Sequence, residues 1–436
     1  MPALPELVMR NQGRPLLVGY SGGLDSTLLL HLLAQDPNAR AAGLRAVHVH
    51  HGLQTEADAW AAHCHRTCAS LDIELNVERV LVDAIGIGRE GAARAARHGA
   101  FGRVLREGEV LALAHHADDQ AETFLLRALR GSGVDGLLAM RPWRRYARGW
   151  LWRPLLGTSR EALHGYASQH GLSWIEDPSN DDASLDRNLL RTQVMPLLRT
   201  RWPNVDRTFA RSARLCAEAN DLLDAGDEKA LASALAAEGA LAGDTLQALP
   251  VARRARVLRR WVIQRGLPPL PANAIASIER DLLGGRADGE ARIEWAGACI
   301  HHWRGRLIAQ RVPVALPADW SQTWDGSGIL QLPNGTALEL TGAGCFDAPL
   351  HVHARQGGER ILLPRRAHRH SLRKLFQAED VPPWRRIGMP LLSDANGVLH
   401  AAGDCILSAW LDEWLQAHDA HLVWHEDPVP CVRDCS

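Results

Sequence analysis

Ser21-Gly22-Gly23-Leu24-Asp25-Ser26-Thr27 lies between two apolar runs, Leu16-Leu17-Val18-Gly19-Tyr20 before it and Leu28-Leu29-Leu30-His31-Leu32-Leu33 after it. The first run is short and reads as a buried strand; the second is longer and reads as a helix. Two glycines at the junction let the backbone turn tightly and leave amide N–H groups facing outward, and Ser26 or Thr27 adds a hydroxyl where the helix begins. Amides, hydroxyls and the helix dipole then converge on one point, which makes a cradle for a phosphate. The common nucleotide loop has four residues between its glycines and a lysine ahead of its Ser/Thr. This stretch has neither, so the phosphate it holds is expected to differ. A glycine pair after a strand is by itself only a tight turn; two serines, a threonine and Asp25 packed beside it favour a site.

Outward from this loop the chain alternates. Leu44 to Leu53 reads as a strand that ends in His48-Val49-His50-His51-Gly52, and a helix capped by Thr55 is expected to run to Ser70. Ile73 to Val82 reads as a third strand. Arg89 to His98 reads as a helix with Arg94 and Arg97 one turn apart, and Val110 to Ala114 as a fourth strand. His115-His116-Ala117-Asp118-Asp119-Gln120-Ala121-Glu122-Thr123 then opens an apolar helix. Such alternation predicts an α/β fold, a doubly wound and mainly parallel Rossmann-like sheet, whose ligands bind at the carboxyl ends of the strands. Ser21 to Thr27, His48 to His51 and His115 to Asp119 are therefore expected in one crevice. Histidines after strands are often only solvated, and an Asp-Asp pair also makes a helix cap; three such strand ends together favour function. Acidic side chains beside a polyphosphate suit magnesium or a cationic amine.

Arg141 to Arg153 interleaves five arginines with four aromatics over thirteen residues. Two readings stand level: an RNA contact, because unpaired bases stack on aromatic and guanidinium planes, or an edge hairpin with its tryptophans packed inward. Glu176 to Asp182 is an acidic, proline-broken loop, and Asp186 opens a helix that carries Arg187 and Arg191. Asp206 to about Leu235 reads as a long linking helix, Val251 to Trp261 as a basic amphipathic helix, and Arg292 to Arg311 as a hairpin. The last segment has short alternating runs, with dense positive charge at Arg355 to Arg360 and at Arg365-Arg366-Ala367-His368-Arg369-His370-Ser371-Leu372-Arg373-Lys374. The expected division is 1–210 for the catalytic domain, 211–317 for a small, mostly helical middle domain with its linker helix, and 318–436 for a C-terminal α+β domain.

Composition bounds the reading. The chain of 436 residues is long for one domain, and its formal net charge of −1 argues against a surface that binds nucleic acid everywhere. Lys229 and Lys374 are the two lysines, so nearly all positive charge is arginine. The eight cysteines form no small-domain disulfide framework and fit a reducing cytosol. Met1-Pro2-Ala3-Leu4-Pro5-Glu6 lacks a basic-then-apolar leader, and no apolar run is long enough to span a bilayer. A cytoplasmic protein with no membrane partner is expected.

The pattern Ser-Gly-Gly-x-Asp-Ser at Ser21 to Ser26 resembles the signature loop of the PP-loop ATP pyrophosphatases, which cleave ATP between its α- and β-phosphates. Within them the chain closely resembles the tRNA(Ile)-lysidine synthase family. The ordered matches are Ser21 to Ser26, His51-Gly52-Leu53, Glu90 to Phe101, His115 to Thr123, Arg153-Pro154-Leu155-Leu156, Asp177-Pro178-Ser179-Asn180 and Arg187 to Arg191. Toward the C-terminus they are Gly357 to Arg360, Leu372 to Gln377 and Val381 to Arg386. The chain departs from the family at Gln54 and His98.

The resemblance implies ATP-dependent ligation of free L-lysine to the wobble cytidine of a tRNA(Ile) with a CAU anticodon. The base carbonyl would attack the α-phosphorus and release pyrophosphate, and the lysine ε-amine would then displace AMP. It implies ATP and Mg2+ as cofactors, with Ser21, Gly22, Gly23, Leu24, Asp25, Ser26, Thr27 and His51 around the nucleotide. Asp25 and Asp119 would hold the metal. Asp118 or Asp119 would orient the metal or the lysine ammonium, and Arg94, Arg97, Arg187 and Arg191 would meet the developing phosphate charge or the lysine carboxylate. Asp25, Asp118, Asp119, Arg94 and Arg191 are thus the expected catalytic set; a homodimer is the assembly to test.

Two rivals stand beside this reading. A PP-loop tRNA thiolase would need a close cysteine pair, and Cys64 and Cys68 are separated by three residues on one helix face. A non-catalytic tRNA-binding protein would have no need of Asp25, Ser26, Asp118 and Asp119 together.

Overall fold

The computed structural model describes residues 13–52, 56–81, 88–176, 186–284 and 291–426. It divides into two compact units, residues 1–225 and 226–436.

The first unit is built on the sheet that the apolar runs predict. Strands β1 (Leu16–Gly19), β2 (Leu44–His50), β3 (Glu74–Arg79), β4 (Val110–Ala112), β5 (Trp143–Tyr146) and β6 (Gly149–Trp152) lie in the order β3-β2-β1-β4-β6-β5. All neighbours pair in parallel except β5 with β6. Leu16, Leu17 and Val18 of β1 and Val110, Leu111 and Ala112 of β4 are fully buried, as central parallel strands covered on both faces require. The covering helices are α1 (Leu24–Ala34), α2 (Ala57–Ser70), α3 (Gly88–Val104) and α4 (Ala117–Leu129). On one face Leu28, Leu29, Leu32 and Leu33 of α1 and Cys64 and Cys68 of α2 pack on Leu16 and Val18; on the other, Phe101 and Leu105 pack on Leu17 and Leu111. At the N-terminal ends of the strands, Arg45 of β2 meets Glu109 through two bonds of 2.7 Å, both side chains buried. Removing either partner would strand a buried charge at a cost of about 3–5 kcal/mol. That edge of the sheet is structural, and the opposite edge carries the polar strand ends.

The edge hairpin decides the reading of Arg141 to Arg153. Trp152 is buried, Trp143 and Trp150 pack against the same core, and the two partly buried rings lie 5.6 Å apart. Arg145 lies over Trp150 at 4.1 Å. The tryptophans are thus core residues with an arginine laid over them.

A short helix, α5 (Met195–Arg201), precedes the long α6 (Val205–Ala234). In the second unit, Leu231, Leu246, Val257, Leu258, Trp261 and Ile278 pack on Ile300 and Leu307 of a four-stranded sheet. The helix Val251–Gln264 buries Arg254 against Glu279 at 2.7 Å. Further on, strands between Ser321 and His425 form sheets that enclose Leu338, Val352, Ile361, Phe376, Leu391 and Leu411. Among the described residues, no helix is long and apolar enough to cross a membrane.

Candidate active site

β1 runs straight into the glycine turn. Gly22 has φ +88°, and a Cβ there would come within 2.7 Å of Ile175 Cδ1 and 3.0 Å of Cys64 Sγ. Both backbone conformation and space therefore demand glycine. Ser26 ties the turn together: its hydroxyl accepts from the Ser21 amide at 3.2 Å, donates to the Gly23 carbonyl at 3.0 Å and lies 3.0 Å from the Ser21 hydroxyl. Thr27 donates to the Gly22 carbonyl at 3.3 Å, and the Ile175 amide donates to that same carbonyl at 2.9 Å. With that carbonyl engaged, the amides of Gly22, Leu24, Asp25 and Ser26 make no hydrogen bond among the described residues. Four donors at a helix N-terminus are an anion site.

At the end of the neighbouring β4, the His116 amide donates to Asp119 Oδ2 at 3.1 Å and so begins α4. The buried His116 ring lies among carboxylates. Its nitrogens are 3.6 Å from Asp25, 3.7 Å from Asp118 and 3.4 Å from Asp119. Burial opposes its charging, yet Asp118, Asp25 and Asp119 outweigh it and push the pKa up to about 10. The preceding His115 faces the other way, with its Nδ1 accepting from Arg153 at 3.3 Å. Burial, joined by the charges of Arg153, Arg187 and Arg94, takes its pKa down to about 3 against the pull of Asp119. Adjacent histidines thus divide the site into an acidic side and a basic side.

Arginines from the helical segment after residue 186 close the acidic side. Asp119 Oδ1 accepts from Arg187 at 3.1 Å and from Arg191 at 3.0 Å. Glu122, one turn further along α4 and buried, accepts Arg187 at 2.9 Å and Arg191 at 2.8 and 3.0 Å. Asp118 accepts the Arg160 amide at 2.9 Å and Arg199 at 2.9 Å, and Arg199 also grips Asp206 at 2.7 and 2.8 Å. Burial alone would raise Asp119, but His116 and Arg187 bring its pKa down to about 2, so it is an anion at neutral pH. Asp25 Oδ1 is buried and has no hydrogen-bond partner among the described residues. An orphaned carboxylate oxygen beside a phosphate loop fits a hard cation. No cluster of three or more His, Cys, Asp or Glu side chains suited to a metal occurs among the described residues. Magnesium, which characteristically takes one or two carboxylates and completes its shell with phosphates and water, is compatible with that arrangement.

The expected residues fall into three groups. Ser21 to Thr27, Asp118, Asp119 and Arg191 converge around His116. His51 stands at the end of β2, where its Nε2 accepts from Arg97 Nε at 3.4 Å, and burial and Arg97 together push its pKa down to about 4. Arg94 is exposed on α3, and its charge is felt at His98, His115 and Arg153, on the basic side. Gln54, Thr55 and Asp177 to Asp182 lie outside the described residues. At the other departure from the family, the His98 carbonyl accepts from the Tyr146 hydroxyl at 2.6 Å, a packing role.

Glu122, Arg199 and the proton on His116 were not foreseen. The signal for Glu122 was present: carboxylates three apart at Asp119 and Glu122 match arginines four apart at Arg187 and Arg191, each pair on one helix face. Arg199 has no such cue, because its partners Asp118 and Asp206 are brought to it by the fold. Cys64 and Cys68 are buried under the loop, and burial pushes their thiols up to about 12 and about 11. Neither is poised for sulfur chemistry.

The second unit carries a different constellation. Arg360, Arg365, Arg366, Arg369, Arg373 and Lys374 are all exposed, and among the described residues none pairs with a carboxylate. Arg360 donates to the Arg369 carbonyl at 2.8 Å, which holds the two arms of the patch together.

A parallel sheet ending in a lysine-free phosphate loop, with acidic groups at the adjacent strand end, defines a PP-loop ATP-binding protein, and residues 3–198 match the PP-loop domain family. Residues 241–308 match the TilS substrate binding domain and 350–424 the TilS substrate C-terminal domain. The chain belongs to the tRNA(Ile)-lysidine synthase family. A tRNA(Ile)-lysidine synthase of Xanthomonas axonopodis pv. citri (strain 306) is 54% identical over 413 residues, 94% of each chain. Those of Xylella fastidiosa (strain Temecula1 / ATCC 700964) and Serratia proteamaculans (strain 568) are 50% and 42% identical, over 96% and 89% of this chain and 97% and 91% of theirs.

Proposed function

We propose that this chain forms lysidine on tRNA(Ile) at the expense of ATP, and that the strand ends around His116 are where it does so. The observation that carries the reading is the meeting, around His116, of four loop amides unbonded among the described residues with the Asp25 carboxylate and the Asp118–Asp119 pair. The loop amides and the Ser21 and Ser26 hydroxyls take the departing pyrophosphate, and the dipole of α1 adds to their pull. Asp25 would hold magnesium, which would neutralise phosphate charge. Asp119 would join it only on giving up an arginine. Arg187 and Arg191, aimed by Glu122, are the groups to meet the lysine carboxylate, and Asp118 its ammonium. Arg94 would meet phosphate charge from the basic side. No side-chain nucleophile is required, since positioning and charge stabilisation carry both displacements.

The patch from Arg360 to Lys374 supplies tRNA phosphate contacts, with 1–210, 211–317 and 318–436 as the functional division. Free L-lysine as second substrate, a cytoplasmic place of work and a homodimer belong to the same reading; sedimentation tests the last. Asp25→Ala is expected to abolish lysine-dependent AMP release while tRNA binding stays within about twofold of the parent. Near-parental turnover by that variant would remove Asp25 from the site. Labelled lysine, ATP and total tRNA, followed by nucleoside analysis, test the product directly: label outside the wobble cytidine of tRNA(Ile) would refute the assignment.

A further inference from the structure

Trp202 ends α5, three residues beyond the Arg199 that grips Asp118. It is 58% exposed, the most exposed tryptophan among the described residues. Its backbone is fixed on both sides: its amide donates to the Leu198 carbonyl at 2.8 Å, and its carbonyl accepts the Val205 amide at 3.0 Å. The ring makes no aromatic, cation–π or side-chain hydrogen-bond contact among the described residues. An indole this exposed leaves an aromatic face open to an occupant. Its surroundings indicate one. Arg201 beside it and Arg207 and Arg211, one turn apart on α6, are exposed and unpaired with any carboxylate among the described residues, while Asp206 between them is already taken by Arg199.

An exposed indole with unpaired arginines just before it and just after it in the chain matches a nucleotide, base on ring and phosphates on arginines. We propose that Trp202 is a stacking platform for an unpaired base of the anticodon loop, a neighbour of the wobble cytidine. The inference rests on the function proposed above. A cytidine delivered to the Asp118 side of the site brings its loop neighbours with it, and those bases are unpaired and free to stack. A duplex buries its base faces in its own stack and has nothing to offer the indole. Platform and acidic site are coupled through α5, whose Arg199 side chain holds Asp118 while its terminus carries the ring.

The test uses the full chain and two RNA probes, the anticodon stem-loop of tRNA(Ile) and the same stem as a blunt duplex, compared across one series of salt concentrations. Trp202→Ala is expected to bind the stem-loop about 10-fold more weakly and the duplex unchanged, whereas Trp202→Phe keeps most of the affinity. The salt slope of Trp202→Ala should equal that of the parent, because no charge is removed. ATP binding and thermal melting, both expected to be unchanged, monitor the fold. Parental stem-loop affinity in Trp202→Ala, or an equal loss on the duplex, overturns the platform. A parent that fails to prefer the stem-loop over the duplex overturns the function reading instead.

Discussion

Arginine does opposite work in two regions, the site around α4 and the patch from Arg360 to Lys374. Around α4, Arg187, Arg191 and Arg199 are matched to Asp119, Glu122, Asp118 and Asp206 at 2.7 to 3.1 Å and stand largely out of water. Across Arg360 to Lys374 the same charge is exposed and meets no carboxylate among the described residues. Matched guanidiniums are held in place and aim groups at a small reactant. Unmatched ones leave their charge for a polyanion that brings its own phosphates and releases counterions on binding. The difference teaches that arginine content carries little information here; the partner of each arginine carries the function.

Three substitutions sharpen or break this contrast. The largest effect is expected from Asp119→Asn, which uncouples Arg187 and Arg191 from the acidic side and removes an anion from the His116 cage. Lysine-dependent AMP release should fall about 10³-fold, with tRNA affinity within twofold. An equal loss in tRNA affinity would mean that the paired arginines also bind the polyanion. Next, Glu122→Gln keeps shape but removes the buried charge under both arginines. Urea unfolding of the full chain should show the first unit weakened by about 3 kcal/mol, and turnover should fall with it. Unchanged stability would show that Asp119 alone suffices to hold the pair. The smallest effect on turnover is expected from replacing Arg365, Arg366 and Arg369 together with alanine. At saturating tRNA the rate should stay near parental, while affinity drops and the salt slope falls by about 3. A parental slope would take the patch out of the interface.

Much of the first unit was legible because its signals are local. The apolar runs at Leu16 and Val110, the glycines at Gly22 and Gly23 and the helix-opening Asp118-Asp119 each announce an element within a few residues, and the strand-end rule places them together. Periodicity also located the long helix, expected over Asp206 to about Leu235 and found at Val205–Ala234. The Arg141 to Arg153 segment was ambiguous for a physical reason: tryptophan serves equally as core and as stacking surface, and only its burial distinguishes them.

By itself, the sequence determined the fold class, the phosphate loop and the family, since all three depend on residue type at fixed local spacing. Tertiary structure alone decided the charge states and the pairings. His115 and His116 are chemically identical neighbours, yet one is driven toward about 3 and the other toward about 10 by burial, by the adjacent Asp118 and Asp119, and by Asp25, Arg94, Arg153 and Arg187, which meet them only in the folded chain. Electrostatic energy depends on distance through space and on burial, and neither quantity is written in the order of residues.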